Sequence, residues 1–458
     1  MMAHSGVITL ILKLFLASNP EYVEVENETM PIWVGRMPNP KVVGAGLPQL
    51  PGTRHVTIYN STSPQGGKNP HGLYNHGPML IYLSEKLDIN VSMQNRFLAC
   101  WYNGPEREGH LNRVVLSLSS PDAQLWSEPV TIFPSVDAKG EENEPFAIID
   151  GRLYGTASDL TFDNAHDSGV RGGLLMRRIR SMTDMGPIFW LASSVPSCGT
   201  QQNCSFDKYP LYTDLADAQT KSDAAEYLRS LVNETVRHGG VNGTNKFNER
   251  SLYALPGQEN SLVLLLRDGG KINAQKQYSH KHLWASRCTL PSSLSPFLPA
   301  NPQRGTMSCR SGTGAYDYEL PSRRRLTHSA THTRQCNWST PIQTNIPDAA
   351  SRTCAARLPV GQGVGVVGNQ GGGGRDPLTF ITSRDGLHFD MHWSVVSGAP
   401  SPKWFGFPGF QYPSFVWCTG GCVGTDGRGV KDQILFTFSV NKEDIMVVSA
   451  PLSSIMDI

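Results

Sequence analysis

Charge of one sign is in short supply: 40 Lys and Arg face 39 Asp and Glu, a formal net charge of +1. Beyond the triplet Arg323–Arg325 there is no basic stripe, which excludes the electrostatic grip on phosphates that a nucleic-acid binder needs. Long apolar runs are missing as well. After the N-terminus no stretch reaches the roughly 20 apolar residues of a transmembrane helix. The two close cysteine pairs, Cys198/Cys204 and Cys418/Cys422, lack the Cys-x-x-Cys spacing and the adjacent histidines of a zinc site. No metal or organic cofactor is expected.

Glycine (45) and proline (32) are plentiful, as they are where many short strands are joined by tight turns. The 458 residues have room for two or three ordinary domains, yet an all-β propeller runs to this length as a single unit. Residues 1–20 contain the apolar run Val7–Ala17, broken by Lys13 and preceded by no Lys or Arg. It reads either as the core of a signal peptide or as a plain N-terminal strand. Asn-x-Ser/Thr sequons stand at Asn27, Asn60, Asn90, Asn203, Asn233, Asn242 and Asn337. With the cysteine pairs read as short-loop disulfides, they point to a secreted or extracellular protein.

A repeat runs through the chain. Segments beginning at His76, Glu144, Glu249, Arg352 and Tyr412 each lead from a polar or aromatic residue into a short apolar strand. In several a turn and a second strand follow, as at Ser261–Leu266 and Gly363–Val367. In a propeller the first strand of each blade starts near the central axis, so these five residues would converge on one funnel.

A second pattern lies downstream of the hairpins. Ser120-Pro-Asp122-Ala-Gln-Leu-Trp126 and Ser383-Arg-Asp385-Gly-Leu-His-Phe389 share the spacing of Ser, Asp and aromatic. A third copy is split: Leu283-Trp-Ala-Ser286 matches its beginning and Asn337-Trp338-Ser-Thr-Pro341 its end. This turn resembles the Asp box of the sialidase superfamily, a structural clamp in which the carboxylate caps turn N–H groups while the aromatic plugs between strands. Two stretches stretch the repeat: 194–247, polar, with a short helix expected over Asp217–Val232, and 287–335, of low complexity and without a period. Without them the repeat is about 50 residues, one four-stranded blade. Counting Arg54–Tyr59 with the C-terminal strands Ile434–Ser439 and Ile445–Pro451 as a further blade gives six blades across 21–458, with seven as the alternative.

The resemblance to sialidases is residue-specific over about 249–450. Glu249 opens a hairpin ending in Arg267, similar to the family's arrangement of a Glu that activates the nucleophile and an Arg that binds the substrate carboxylate. Arg375-Asp-Pro-Leu-Thr-Phe-Ile-Thr-Ser383 resembles the segment carrying a further family arginine, and Gly409-Phe-Gln-Tyr412-Pro-Ser-Phe-Val the strand carrying a nucleophilic tyrosine. The resemblance implies Tyr412 and Glu249 as catalytic residues, with Arg267, Arg375, Arg352 and Glu144 binding substrate. A planar guanidinium holds a carboxylate with two hydrogen bonds, and a tyrosine nucleophile avoids the repulsion a carboxylate would meet at an acidic sugar.

The first half departs from that pattern. Where sialidases carry Tyr-Arg-Ile-Pro, this chain has Tyr74-Asn75-His76-Gly77-Pro78. Arg54 and Arg113 are candidates for the missing guanidinium, and Glu106 for the general acid. His76, as substrate contact or base, also fits a second reaction: propeller-type polysaccharide lyases use His and Tyr for proton transfer at a uronic acid, with an Arg on the carboxylate, and His76, Tyr412 and Arg375 are such a set. The expected function is an exo-glycosidase of sialidase type acting on a glycan or acidic polysaccharide. A uronate lyase and a noncatalytic glycan-binding propeller are the alternatives.

Overall fold

The structure, a computed structural model, describes residues 30–61, 72–105, 112–135, 140–161, 170–192, 212–215, 217–227, 247–268, 282–289, 339–349, 351–359, 363–371, 374–419 and 432–455. Ile32–Trp33 (β1) and Arg54–Tyr59 (β2) come first. Tyr74–Leu83 (β3), Arg96–Gly104 (β4), Arg113–Leu118 (β5) and Val130–Phe133 (β6) make blade one. Gly140–Ile149 (β7), Arg152–Thr161 (β8), Val170–Arg178 (β9) and Phe189–Ala192 (β10) make blade two. Blade three is Phe247–Leu255 (β11), Gln258–Asp268 (β12), His282–Thr289 (β13) and Ile342–Pro347 (β14). Blade four is Cys354–Arg357 (β15), Val364–Gly368 (β16), Leu378–Ser383 (β17) and Met391–Val396 (β19), with the short His388–Phe389 (β18) pairing in parallel with β1. Blade five is Phe410–Cys418 (β20), Gln433–Val440 (β21) and Asp444–Pro451 (β22), completed by β2 against β22.

Five four-stranded blades are therefore formed among the described residues, which corrects the expected six and its alternative of seven. The reason lies in the closure. Arg54–Tyr59 is the outer strand of the blade that Tyr412 opens, with Arg54 opposite Ser449 and Val56 opposite Val447. In the sequence the repeat at Tyr412 and the closing strands read as separate blades, whereas they share one sheet. Hydrogen bonding Arg54–Tyr59 onto the late hairpin gives blade five its fourth, outermost strand and joins early and late segments of the chain in one sheet.

The cores lie between blade faces. First strands of neighbouring blades run side by side: β20 with β3, β3 with β7, β11 with β15, and β15 with β20. Blades four and five meet through Phe380, whose ring is edge-on to Phe436 at 5.0 Å and to Phe415 at 5.4 Å. Such pairs add about 0.5–1.5 kcal/mol beyond the area they bury. Strands covered on both faces read as continuous apolar runs, as in Leu262–Leu266, where every side chain is buried. One face of blade two packs on blade one through Leu153, Leu175 and Trp190. Its other face, Tyr154, Met176 and Phe189, packs on Ala224 and Tyr227 of a helix over 218–227. Asp217 caps that helix, accepting from the Gln219 N–H at 2.9 Å and from the Thr220 hydroxyl. The buried carboxylate of Asp223 then takes Arg152 Nε at 2.6 Å and the Tyr154 hydroxyl at 2.5 Å, pinning helix to sheet.

The clamp turns behave as structural elements. In blade four, Asp385 Oδ1 accepts from the Leu387 and His388 N–H groups, each at 2.8 Å, and from the Ser383 hydroxyl at 2.9 Å. Partial burial pushes the Asp385 carboxyl up, but these donors and the His388 ring outweigh it and hold it at about 2. In blade one Ser120 and Asp122 make the corresponding bond at 2.5 Å, and the Trp126 indole donates to Ala123 O at 3.2 Å. The split copy also closes. Ser117 Oγ donates to Ser127 O at 2.7 Å and the Leu118 N–H to Ser127 Oγ at 3.0 Å. In blade three Ser286 Oγ donates to Ser339 O at 2.6 Å and the Arg287 N–H to Ser339 Oγ at 3.0 Å. The same latch thus closes a short turn in one blade and a long excursion in the other. Strand β13 continues through Thr289, so the first residues of the stretch 287–335 are sheet, and residues 290–338 lie outside the described residues.

Cys288, Cys354 and Cys418 are disulfide-bonded, and Cys100 is buried. Cys198, Cys204 and Cys422, the apolar run of residues 1–20 and Glu106 lie outside the described residues.

Candidate active site

Four of the five first strands have a register shift where the repeat residues sit. Pairing slips between His76 and Met79, between Glu144 and Ala147, between Asn248 and Arg250, and between Gln411 and Ser414. Pro78, Pro145 and Pro413 fall inside three of these slips. Proline cannot donate to a ladder, so it is accommodated where pairing is interrupted, and the bulge re-aims the adjoining side chain. Blade four pairs regularly from Cys354, and Arg352 stands two residues ahead of it.

The structure brings His76, Arg267, Arg352, Arg375 and Tyr412 together. The Tyr412 ring lies 4.0 Å from the His76 ring, centroid to centroid, and Arg267 Nη1 donates to the Tyr412 hydroxyl at 3.5 Å. Tyr412 has φ 53°, a left-handed conformation unfavourable for a side chain of this size. It is held there by its neighbours. Gly409, at φ +105°, has Arg375 so close that a Cβ would sit 2.7 Å from its carbonyl oxygen, so only glycine fits. The Phe410 N–H donates to that same carbonyl at 2.8 Å, and Arg375 Nη1 donates to the Gln411 side-chain oxygen.

His76 is fully buried behind Tyr412. The Ser439 hydroxyl donates to Gln411 O at 3.2 Å, so across the 2.8 Å contact with His76 it is the Nδ1–H that donates. Burial, and then the positive charges of Lys442, Arg375, Arg352 and Arg267, hold the imidazole well below its usual range. It is neutral, and its place is behind the tyrosine rather than at the solvent. Glu249 occupies the bulge of β11 between Asn248, which pairs with Arg267, and Arg250, which pairs with Leu266; Glu144 lies on β7 opposite Thr156. The carboxyl groups of both lie outside the described residues.

Neither candidate for the missing guanidinium reaches this group. Arg54 is exposed on the outermost strand of blade five. Arg113 sits on the third strand of blade one, donating to Asn103 Oδ1 at 3.0 Å and Thr131 Oγ1 at 3.3 Å. Asn75, where the resemblance expects an arginine, is instead a buried hub. Its side chain donates to Gly72 O (3.0 Å) and Glu443 O (2.6 Å) and accepts from Trp101 Nε1 (2.9 Å) and Asn103 Nδ2 (2.7 Å). Its backbone N–H donates to Lys442 O at 2.8 Å.

Lys442 is the residue that sequence reasoning missed. It lies in the tight turn joining β21 to β22, closed by the Glu443 N–H on Val440 O at 2.9 Å. Asn441 and Lys442 have φ 58° and 62°, the mirror-image turn that ordinarily takes Asn-Gly. Lys442 as a whole is 8% exposed, and its ammonium lies 4.9 Å from the Phe407 ring and 5.7 Å from Tyr74. A lysine where glycine is preferred was the available signal. Among the described residues there is no cluster of His, Cys, Asp or Glu able to hold a metal, and no helix long and apolar enough to cross a membrane.

No protein-family model and no curated protein sequence matches the chain. Solved structures do. A sialidase matches at 17% identity with a TM-score of 0.61, over 92% of this chain and 35% of that one. The NanB sialidase of Streptococcus pneumoniae matches at 10% identity and a TM-score of 0.42, over 87% of this chain and 70% of that one. An α-L-arabinofuranosidase of Fusarium graminearum matches at 11% identity and a TM-score of 0.34, over 85% and 80%. This chain thus spans about a third of the length of the first of these. The five blades form a β-propeller, a fold similar to that of this sialidase.

Proposed function

We propose that the chain is a retaining exo-glycosidase that removes an acidic sugar from a glycan. The observation carrying this reading is the strained Tyr412, its hydroxyl against the Arg267 guanidinium, in a site where four cations surround a neutral histidine. Side chains held in unfavourable backbone geometry persist where the surroundings over-determine them, commonly at functional sites. In this scheme the Tyr412 oxygen attacks the anomeric carbon, Glu249 takes the phenol proton, and the leaving oxygen takes a proton from a general acid, for which Glu106 is the candidate. Water then breaks the tyrosyl–glycosyl bond. Arg267, Arg375 and Arg352 serve the carboxylate, and Lys442 supplies the cation that Asn75 does not. The docking of its turn on Asn75 supports that assignment, because it ties the ammonium to the start of blade one.

His76 acts here as a positioning residue. A lyase base must touch its substrate, and the burial of His76 weighs against that chemistry. Secretion belongs to the same proposal, supported by the disulfide-bonded cysteines and by exposed sequon residues Asn60 and Asn90. The test is Tyr412→Phe on sialylated glycans: hydrolysis should all but cease while ligand binding persists. Products with unsaturated, ultraviolet-absorbing ends would overturn the hydrolase. Binding without turnover by the unaltered chain would leave a noncatalytic propeller.

A further inference from the structure

Two aromatic side chains of one loop are about half exposed, and one of them lies beside this site. Among the described residues the exposed large hydrophobic side chains are Val34, Val42, Val43, Val91, Leu125, Trp404 and Phe407, so both aromatics of the set belong to one loop, residues 397–409. Trp404 is 52% and Phe407 49% exposed. An indole left half in water costs free energy, and a loop normally folds such a ring inward.

This loop is held too firmly to do so. The carboxylate of Glu443, itself fully buried, accepts the Lys403 N–H at 2.9 Å on one oxygen and the Trp404 and Phe405 N–H groups at 2.6 and 3.2 Å on the other. Asn441 donates to Pro400 O and accepts from the Gly409 N–H, both at 2.9 Å. Gln411 Nε2 donates to Phe407 O at 2.9 Å while its oxygen receives Arg375. Phe405 packs inward on Tyr74 at 5.4 Å. The groups that fix the loop are thus the turn carrying Lys442 and the residue next to Tyr412. Phe407 touches the cation cluster directly, at 4.9 Å from Lys442 Nζ.

We infer that Trp404 and Phe407 form a stacking platform for the neutral sugar ring next to the acidic terminal sugar. This rests on the proposed function and deepens it. Continuity with the cationic site selects the occupant: whatever is bound through its acid among Arg267, Arg375 and Lys442 extends past Phe407. Sugar C–H faces are slightly positive and meet the negative faces of aromatic rings. Fixing the loop beforehand lowers the ordering cost of binding.

The experiment measures binding to the full chain by calorimetry for three probes: N-acetylneuraminic acid, a linear tetrasaccharide ending in it, and the same tetrasaccharide without it. The sialylated tetrasaccharide should bind about 10-fold tighter than the monosaccharide, and Trp404→Ala and Phe407→Ala should erase that excess. Monosaccharide binding should stay unchanged in Trp404→Ala, while Phe407→Ala, which also removes the ring beside Lys442 Nζ, is read as the ratio of tetrasaccharide to monosaccharide affinity within that variant. If the excess survives the double substitution, the platform is wrong and the acidic-sugar reading stands. If only the tetrasaccharide without the acid binds, and needs Trp404, the platform stands and the acidic-sugar reading fails. If the unaltered chain binds none of the three, both fall.

Discussion

Lys442 gives the sharpest test, because one residue carries two separable consequences. Its φ of 62° is left-handed, which costs a residue with a Cβ about 1–2 kcal/mol. Lys442→Ala and Lys442→Gly remove the same ammonium and the same contacts with Phe407 and Tyr74, so comparing them isolates the backbone term. Glycine recovers the strain and gives back about 0.5–1 kcal/mol through its greater freedom in the unfolded chain. The Gly variant should therefore exceed the Ala variant by about 1 kcal/mol or somewhat less, read from urea midpoints. Both should lose a charge-assisted contact of about 1.5–3 kcal/mol, roughly 10- to 100-fold in Kd for a sialylated glycan. The methyl ester of that glycan should bind all forms alike, and Lys442→Arg should retain acid binding. Undiminished acid binding by the Ala and Gly variants would refute the assignment to the carboxylate. A Gly variant no more stable than the Ala variant would refute the strain argument. More stability with less binding is the signature expected where a turn has kept a strained residue for function.

Asp385→Ala removes the acceptor of three hydrogen bonds in the blade-four turn and should lower stability by about 1–2 kcal/mol, with turnover per folded molecule unchanged in a titrated assay. His392 is buried and burial holds its ring at about 3. Its folded pKa lies below the unfolded one, so the unfolded chain binds the extra proton and stability falls as pH drops below about 6.5. At pH 5 the loss is about 2 kcal/mol. His392→Phe, which keeps the ring packed edge-on to Trp33 at 4.7 Å, should flatten the change in urea midpoint between pH 7 and pH 5, and an unaltered slope would place the titration elsewhere. Replacing residues 290–338 by a short Asp-box turn should leave a folded chain, because the Ser286–Ser339 latch matches the one that closes blade one; loss of cooperative unfolding would show the excursion to be integral.

The propeller was legible because its signals are local. Hairpins written as apolar runs and turns written as Ser-x-Asp specify their own geometry within about ten residues. The count of blades was not local. Whether Arg54–Tyr59 opens a new sheet or completes one depends on pairing with Asp444–Pro451, hundreds of residues away, and no spacing rule reports such a partner. A fourth Asp-box-like turn escaped. At blade two Ser181 Oγ accepts the Asp184 N–H at 2.8 Å while Ile179 bridges Met185, so the serine does the capping and the motif loses its usual spelling.

At the site the same division holds. That Tyr412, Arg267 and Arg375 come together was legible because each stands in or just before a strand whose pattern is plain. Lys442 was hidden because it comes from the far end of the blade-five hairpin and reaches the cluster through Asn75. His76 was named from its type and its place at the start of a first strand, and what the sequence did not show is that it is fully buried. The polar starts of the blades thus have two destinations. Tyr412 keeps its hydroxyl against Arg267, whereas His76, at the slip before Met79, is fully buried against the Tyr412 ring.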